Sequence, residues 1–346
     1  MQCIAIDVGF GTQDILVCED GKSIEQSFKM VLPSRTMIVA EQIRGATELR
    51  KDIFLEGVVM GGGPCVRAIK EHIRAGLQVH STETAAKTIY DDLRRVQSLG
   101  VHIAPQMPPD LPDAVRIETK DIDLAAIEGM LGLFEMNVPR MFAVAVQDHG
   151  ESSESGESNR ITRFKHLRRT IQRGGDLQSF VYAQDAIPKH LTRMRAVAET
   201  LADRCVVLMD TGPAAIFGAV ATGEDAIVLN IGNGHTLCAI LMENRITGVF
   251  EHHTRQIDIT TLDSYIERLA DGKLTFDEIF ESGGHGCYIE ETARTTPRII
   301  VTGPNRFIAE KSRHDVTFAA PHGDMMLTGC FGLVKGISSI MGGSHD

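Results

Sequence analysis

Residues 226–241, AIVLNIGNGHTLCAIL, and residues 3–17, CIAIDVGFGTQDILV, are two copies of one pattern. Each copy consists of an apolar strand, a tight glycine turn and a second apolar strand, so each predicts a β-hairpin. A glycine turn lets backbone N–H groups approach an anion closely, because no Cβ is in the way. Two such hairpins far apart in the sequence therefore predict two lobes that grip one phosphate chain between them.

The candidate binding residues lie in these two turns. Each turn has an acid or an amide, then a Gly-x-Gly sequence, and then a threonine. The first turn supplies Asp7, Gly9, Gly11 and Thr12, and the second supplies Asn230, Gly232, Gly234 and Thr236. An ordinary hairpin turn is the alternative in each case, but the presence of a second copy favours phosphate binding.

Asp7 is the candidate metal ligand and a candidate catalytic residue, because it ends an apolar strand at the mouth of the first turn. Magnesium keeps several waters and takes one or two carboxylates, so an aspartate at this place suits it. Asp14 lies further along the hairpin, where a structural role is also open. His235 is expected to point out of its loop rather than to catalyse.

The composition sets the class of protein. The 346 residues are enough for two domains of ordinary size. Hydrophobic residues make up 43% of the chain and charged residues 23%, which predicts a packed globular protein. The formal net charge of −11 argues against a general nucleic-acid binder, which is usually basic. Nucleotides remain compatible with this charge, since local geometry binds them.

The cysteines and the apolar runs indicate a cellular compartment. The seven cysteines include no C-x-x-C pair and match no zinc or iron–sulfur spacing. Buried free thiols in a reducing cytoplasm are therefore expected. The sequence shows no signal-peptide pattern and no apolar run long enough to cross a bilayer. We expect a cytoplasmic protein with no membrane partner.

The order of motifs along the chain resembles that of the actin, sugar-kinase and heat-shock chaperone ATPase superfamily. The landmarks of that superfamily are a first phosphate loop, a connector, a second phosphate loop, an adenosine loop and a returning helix. In this chain they correspond to residues 7–12, 213–218, 230–236, 301–306 and 324–336. Within the superfamily, the chain is similar to an archaeal and bacterial family labelled pyruvate formate-lyase activating enzyme. The chemistry of that label needs a C-x-x-x-C-x-x-C sequence, which is absent here.

The resemblance implies an α/β fold of two duplicated ribonuclease-H-like lobes around a central nucleotide cleft. It assigns residues 1–204, with insertions, to the first lobe and residues 205–320 to the second. The last helix, within residues 321–341, is expected to return to the first lobe.

The resemblance also implies Mg²⁺-dependent binding of ATP. Gly303 and Asn305 in the adenosine loop would let the adenosine pack against the backbone. Asp148 follows the apolar run 140–147, and either Asp148 or its neighbour Gln147 would orient or deprotonate a nucleophile near the γ-phosphate. A strand-end turn is the alternative for Asp148.

Three functions remain open at this point. The first is an ATPase that drives a conformational change in a protein partner, and the second is a small-molecule kinase. The third is a nucleotide-binding regulator or scaffold without significant turnover, which Asn230 favours because most members of the superfamily carry Asp there. The expected partners are a nucleotide with a small-molecule substrate or a protein, and a homodimer is left open.

The glycine loop at residues 61–63 fits an anion-binding turn before a helix, although an ordinary sharp turn fits slightly better. The glycine loop at residues 283–286 fits a close backbone approach to nucleotide or substrate as well as it fits a helix stop followed by a loop. A dinucleotide enzyme that uses the first of these loops ranks below the three functions, because the G-x-G-x-x-G order is absent.

Overall fold

A computed structural model describes residues 2–109, 111–152, 158–293 and 297–341. Residues 153–157, part of a polar stretch expected to form a loop, lie outside these ranges.

A six-stranded sheet organises the first lobe. Its members are β1 (Cys3–Val8), β2 (Thr12–Cys18), β3 (Phe28–Pro33), β8 (Met141–Val146), β9 (Tyr182–Ala183) and β10 (Cys205–Met209). They lie in the order β3-β2-β1-β8-β10-β9. Strand β1 is antiparallel to β2 and parallel to β8, and β8 is parallel to β10. Every residue of β1 is buried, as expected for a central strand that is covered on both faces.

A second six-stranded sheet organises the second lobe. Its members are β11 (Ala226–Ile231), β12 (His235–Met242), β13 (Arg245–His253), β14 (Gly286–Ile289), β15 (Arg298–Thr302) and β16 (Val316–Phe318). They lie in the order β14-β13-β12-β11-β15-β16. Strand β11 is antiparallel to β12 and parallel to β15, and β15 is parallel to β16.

The two sheets are duplicates of each other. Without the edge strands β9 and β14, each has the order third, second, first, fourth, fifth, with only the second strand reversed. This strand order is the ribonuclease-H-like arrangement, and it confirms the predicted fold class of two related α/β lobes.

A third, smaller sheet is inserted between β3 and β8. Its strands are β4 (Ile53–Gly57), β5 (Val79–Ser81), β6 (Val101–Ile103) and β7 (Val115–Thr119), all parallel. The helices of this segment are α1 (Arg35–Glu48), α2 (Gly63–Arg74), α3 (Glu83–Ala86) and α4 (Leu93–Ser98). They bury a core of their own against this sheet.

Further helices cover the two large sheets. They are α5 (Leu124–Gly132), α6 (Asn159–Gln172), α7 (Thr192–Thr200), α9 (Ile259–Ala270) and α10 (Phe276–Glu281). Within the described ranges, we find no helix with the length and apolar character needed to cross a bilayer.

Two remaining helices, α8 (Thr211–Ala219) and α11 (Thr328–Met341), pack against each other between the lobes. They share one hydrophobic core with the inner faces of both large sheets. Helix α11 contacts β1, β8 and β10, so the end of the chain lies against the first lobe.

The predicted boundary after residue 204 needs a correction. Strand β10 pairs with β8 and completes the first sheet, so the first lobe extends to residue 209. The chain then crosses through α8, and the second sheet begins at β11. The pairing of β10 with β8 joins residues far apart in sequence, and no local pattern indicates it.

Candidate functional site

The two glycine hairpins line one cavity of about 510 Å³ between the lobes. This volume is in the range of small-molecule and cofactor sites. The predicted site residues that line the cavity are Asp7, Gly9, Thr12, Asp148, Asn230, Gly232, Gly234 and Gly303. The structure thus brings together residues from both halves of the chain, as the duplicated pattern requires.

The two turns have the same hydrogen bond. The N–H of Gly9 donates to the carbonyl of Thr12 (2.8 Å), and the N–H of Gly232 donates to the carbonyl of His235 (2.9 Å). The residue equivalent to Thr12 is therefore His235, and the equivalence with Thr236 is wrong.

Thr236 is one strand position further along and so faces the opposite side of the sheet. Its side chain is fully buried, and its hydroxyl lies 3.1 Å from that of Thr254. Thr236 therefore stabilises the hairpin from the opposite face of the sheet and does not line the cavity.

The tips of the two hairpins contact each other. A Cβ built on Gly11 would lie 3.0 Å from Nδ2 of Asn233, and one built on Gly234 would lie 3.6 Å from the Phe10 ring. Gly11 is therefore part of a contact between the lobes, at the rim of the cavity. A larger side chain at Gly11 would require the Asn233 side chain to move.

Asn305 holds the second turn in place through two hydrogen bonds. Its Nδ2 donates to the carbonyl of Gly232 (3.0 Å) and to Oδ1 of Asn233 (3.2 Å). Gly303 has φ +96°, and a Cβ there would meet the Asn230 side chain and the backbone of Ile231. These two residues of the predicted adenosine loop hold the turn, and only Gly303 of the two lines the cavity.

Asp7 and Asp14 form a pair of buried carboxylates. They occupy facing positions of the first hairpin and both line the cavity. Burial raises the pKa of Asp7 to about 7, and burial together with the charge of Asp7 raises the pKa of Asp14 to about 8. Thr211 donates its hydroxyl to Oδ1 of Asp7 (2.5 Å), whereas Oδ1 of Asp14 has no hydrogen-bond partner among the described residues.

This pair fits a hard divalent cation. A bound Mg²⁺ would offset the repulsion between the two carboxylates and give the orphaned oxygen of Asp14 a partner. Asp14 is a residue that the sequence leaves undecided. Its place in the hairpin is the feature that could have indicated a role at the site, because antiparallel pairing around a short turn sets Asp14 opposite Asp7.

Two helices begin at the same end of the cavity. The first residues of α8, Thr211 and Gly212, and the first residues of α11, Thr328 and Gly329, line it. Helix N-termini carry partial positive charge and unpaired N–H groups, so they favour anions. A Cβ on Gly329 would overlap the carboxylate of Asp7, which shows how closely α11 approaches the first hairpin.

Asp148 lies at the end of β8, with its carboxylate held by the backbone. Its two oxygens accept hydrogen bonds from the N–H groups of Gly150 (2.9 Å) and Met194 (2.9 Å). Burial raises the pKa of Asp148 to about 6, against the effect of these two donors. Asp148 fixes the course of the chain after β8, and its role as a proton acceptor stays a prediction.

Arg163, on α6, joins the two lobes through buried ion pairs. It contacts both oxygens of Asp210 (2.6 and 3.0 Å) and both oxygens of Glu251 on β13 (2.7 and 2.9 Å). It also donates to the carbonyl of Asp148 (3.1 Å). No sequence pattern indicates this network, because its members come from three distant segments.

Three histidines meet beside this network. The possible ligand atoms of His149, His235 and His285 all lie within 4.8 Å of one another. Burial lowers the pKa of His149 well below its ordinary value and that of His235 to about 3. His235 lines the cavity, so the expectation that it points out of its loop is wrong.

The loop at residues 61–63 also borders the cavity. The N–H of Gly61 donates to Oδ1 of Asp121 (3.1 Å), and a Cβ on Gly63 would collide with the Phe10 ring. This loop therefore receives the tip of the first hairpin. The loop at residues 283–286 has a separate role, because it supplies His285.

These features define a protein of two duplicated ribonuclease-H-like lobes, in which paired glycine hairpins face one cleft. The chain belongs to the DUF1786 family, whose description is "Putative pyruvate format-lyase activating enzyme"; the family model matches residues 60–308. No protein of curated function matches the sequence.

Several solved structures are similar over nearly the whole chain. The ethanolamine utilization protein EutJ from Carboxydothermus hydrogenoformans is 12% identical, with 95% of this chain and 88% of that chain covered and a TM-score of 0.35. A ROK family glucokinase from Streptomyces griseus, in complex with glucose and AMPPNP, is 11% identical, with coverages of 97% and 98% and a TM-score of 0.37. The activator of 2-hydroxyisocaproyl-CoA dehydratase from Clostridium difficile, with bound ADPNP, is 8% identical, with coverages of 100% and 99% and a TM-score of 0.34.

Proposed function

We propose that this protein binds ATP with Mg²⁺ in the cleft and hydrolyses it or transfers its γ-phosphoryl group. The observation that carries the proposal is the convergence of two Gly-x-Gly hairpins on one cavity that two helix N-termini also enter. Backbone N–H groups and helix N-termini are the groups that proteins use most directly to hold phosphates.

Each part of the cleft has a proposed role in the binding of ATP and Mg²⁺. The turn that begins at Gly9 and the turn that begins at Gly232 would hold the phosphates from opposite sides. Asp7 and Asp14 would hold Mg²⁺, which neutralises phosphate charge when it is bound. Gly303 would lie against the adenosine. The acceptor of the phosphoryl group would be water, a small molecule or a group on a protein partner.

The first experiment measures binding by thermal shift and calorimetry with ATP, ADP and AMP, each with and without Mg²⁺. We expect ATP and ADP to raise Tm, and Mg²⁺ to increase that shift. Asp14→Asn should lose most of the Mg²⁺-dependent part, because an amide is a poorer ligand for this cation. The control is Asp113→Asn at an exposed position of the inserted segment, which should behave as the wild type.

An unchanged Tm and no heat of binding with any nucleotide would contradict the proposal. So would a Mg²⁺ dependence that is the same in Asp14→Asn as in the wild type, since the cation would then bind elsewhere.

A second candidate, a nucleotide-dependent regulator without significant turnover, is favoured by two observations. Asn230 is an uncharged residue at the place that Asp7 occupies in the first hairpin. The carboxylate of Asp148 is already engaged by two backbone N–H groups. Phosphate release over many turnovers, measured in the wild type and in Asp148→Asn, separates the two functions. Release that Asp148→Asn abolishes would support catalysis, whereas binding without release would support the regulator.

A further inference from the structure

Three histidines from both lobes converge at one point of the cleft. His149 follows β8 of the first lobe, His235 begins β12 of the second lobe, and His285 immediately precedes β14. Their possible ligand atoms lie within 4.8 Å of one another. The ring centroids are 4.7 Å apart for His235 and His285 and 5.5 Å apart for His149 and His285.

The hydrogen bonds of His285 define which of its nitrogens is available. Its Nδ1 lies 2.8 Å from Oε2 of Glu251, a carboxylate that also pairs with Arg163. An ionised carboxylate only accepts, so Nδ1 of His285 is the donor to Glu251, and Nε2 is the ring nitrogen left to bind a metal ion. A carboxylate behind an imidazole is the usual arrangement in metal sites, where it orients the ring and makes it a better ligand.

Two ring nitrogens of the histidine cluster are buried without a partner among the described residues. Within the part of the chain that the structure describes, Nε2 of His285 and Nε2 of His235 are buried and have no hydrogen-bond partner. The whole side chain of His285 is 1% exposed. A buried polar atom without a partner costs about 1–3 kcal/mol. Two such atoms at one point indicate a ligand that both of them contact.

We propose that His149, His235 and His285 form a binding site for one divalent transition-metal ion of the zinc type. Three imidazoles suit Zn²⁺, Fe²⁺, Co²⁺ or Ni²⁺, whereas Mg²⁺ prefers oxygen ligands. The site is therefore distinct from the carboxylate pair of Asp7 and Asp14.

The proposed site has an open side. His149 and His235 both line the cavity, so the position that the three histidines leave free faces the cleft. Three protein ligands with an open fourth position are the pattern of catalytic zinc sites, where the fourth ligand is water or a substrate atom. An anionic group in the cleft could take that place.

The ion would also join the lobes, because one ligand comes from the first lobe and two come from the second. The buried Arg163 network lies directly behind it, through Glu251. Metal binding is thus expected to stabilise the contact between the two lobes in the absence of nucleotide.

The test measures metal binding by the full-length protein without any nucleotide. The apoprotein, prepared with a chelator, is dialysed against Zn²⁺, and bound metal is counted by elemental analysis. Cobalt then reports geometry, because four- or five-coordinate Co²⁺ absorbs visible light far more strongly than the hydrated ion. We expect one Zn²⁺ per chain, a Co²⁺ spectrum of low coordination number, and a higher Tm with Zn²⁺.

Variants identify the ligands. His149→Gln and His235→Gln should each weaken Zn²⁺ binding by at least the ~10–100-fold that follows the loss of an outer-shell partner. The matched control is His102→Gln, since His102 stacks on His80 (4.8 Å) at the surface and could bind metal adventitiously. That variant should keep the site intact.

The proposal is overturned if the wild type binds no Zn²⁺, or if its binding and Co²⁺ spectrum are unchanged in His149→Gln and His235→Gln. It is also overturned if only His102→Gln removes the metal. Should one of the two variants fail to fold, the other still decides, because loss of Zn²⁺ binding in either one alone identifies a ligand of the site. Because no nucleotide is present, failure here is distinct from failure of ATP binding.

Discussion

Arg163 lies at the centre of a buried network of charges that joins the two lobes. It is fully enclosed and pairs with Asp210 and Glu251. Removing one partner of a buried pair leaves an uncompensated charge, which typically costs about 3–5 kcal/mol. We therefore expect Arg163→Met to lower the free energy of unfolding by about that amount.

Chemical denaturation followed by circular dichroism measures the effect of Arg163→Met. The control is Arg169→Met, at an exposed position of the same helix, which should stay within ~0.5 kcal/mol of the wild type. Equal losses in both variants would show that the network contributes nothing specific.

We expect His166 to make the stability of the protein depend on pH. Burial lowers its pKa to about 4, and the charges of His190, Arg163 and Arg169 act in the same direction, against that of Asp210. Its ring also contacts the Tyr182 hydroxyl (3.0 Å). Because the folded-state pKa lies below the unfolded value, the contribution is complete above pH ~6.5 and is lost as the pH falls towards 4.

The loss is expected to be roughly 3 kcal/mol, since each unit of pKa corresponds to about 1.4 kcal/mol. His166→Gln keeps a polar side chain that does not titrate, so its stability should fall less over the same interval. Denaturation curves at a series of pH values measure the difference between the two proteins. Parallel pH profiles from pH 7 to pH 4 would rule out this role for His166.

Some site residues can be predicted from the sequence and others cannot. The difference is how far apart along the chain the segments lie that form the site. Asp7 and the glycines of its turn form a local pattern of strand, turn and strand, and that pattern can be read directly. Asp14 depends on the register of the same hairpin. His285 reaches His235 only because β14 pairs with β13, which in turn pairs with β12. No short motif carries that information.

At the scale of elements, the contact between α8 and α11 is unusually close. A Cβ on Gly218 of α8 would overlap the carbonyl oxygen of Thr328, and one on Gly332 of α11 would overlap the carbonyl oxygen of Ala214. These glycines let the two helix backbones touch where they cross between the lobes. Backbone atoms cannot move aside as a flexible side chain can, so the space is fixed.

Gly332→Ala is therefore expected to destabilise the protein by at least the ~1–3 kcal/mol typical of overpacking. Thermal and urea denaturation measure this. The control is Gly45→Ala in α1, where an added Cβ has no atom within 4 Å among the described residues. It should stabilise by about 0.5–1 kcal/mol, because alanine favours the helix. The prediction fails if the two substitutions shift stability in the same direction.

The individual strands can be predicted from the sequence, but which strands belong to which sheet cannot. Alternating apolar runs around a glycine turn specify β1 with β2 and β11 with β12. The parallel neighbours β8, β10 and β15 read as buried strands, but nothing in their sequence states which sheet they join. This is why the predicted boundary after residue 204 separates β10 from the sheet that it completes, and why the sequence does not mark the inserted sheet of β4–β7 as a separate unit.

At the scale of the whole molecule, a nucleotide that binds between the lobes of the folded protein should raise its free energy of unfolding, because the unfolded chain does not bind it. A ligand at one hundred times its Kd adds about 2.7 kcal/mol to the free energy of unfolding. With Mg²⁺ and ATP at that ratio, we expect chemical denaturation to show a gain of this size. Gly234→Val should remove most of it, because the new side chain would be built against the Phe10 ring at the mouth of the site.

Gly21→Val, in an exposed turn with no atom within 4 Å of an added Cβ in the described ranges, lies far from the cleft. It has a positive φ and should lower basal stability while keeping the gain from ATP. A gain that persists in Gly234→Val would show that the nucleotide binds elsewhere.

The core shared through α11 has a consequence for synthesis. The inner face of the first sheet, made of residues near the start of the chain, is covered by a helix that the ribosome delivers more than three hundred residues later. Until then the nascent polypeptide exposes an apolar surface that holdase chaperones would bind. A premature stop codon just before Thr328 would leave that surface bare, and cellular proteases would clear the product.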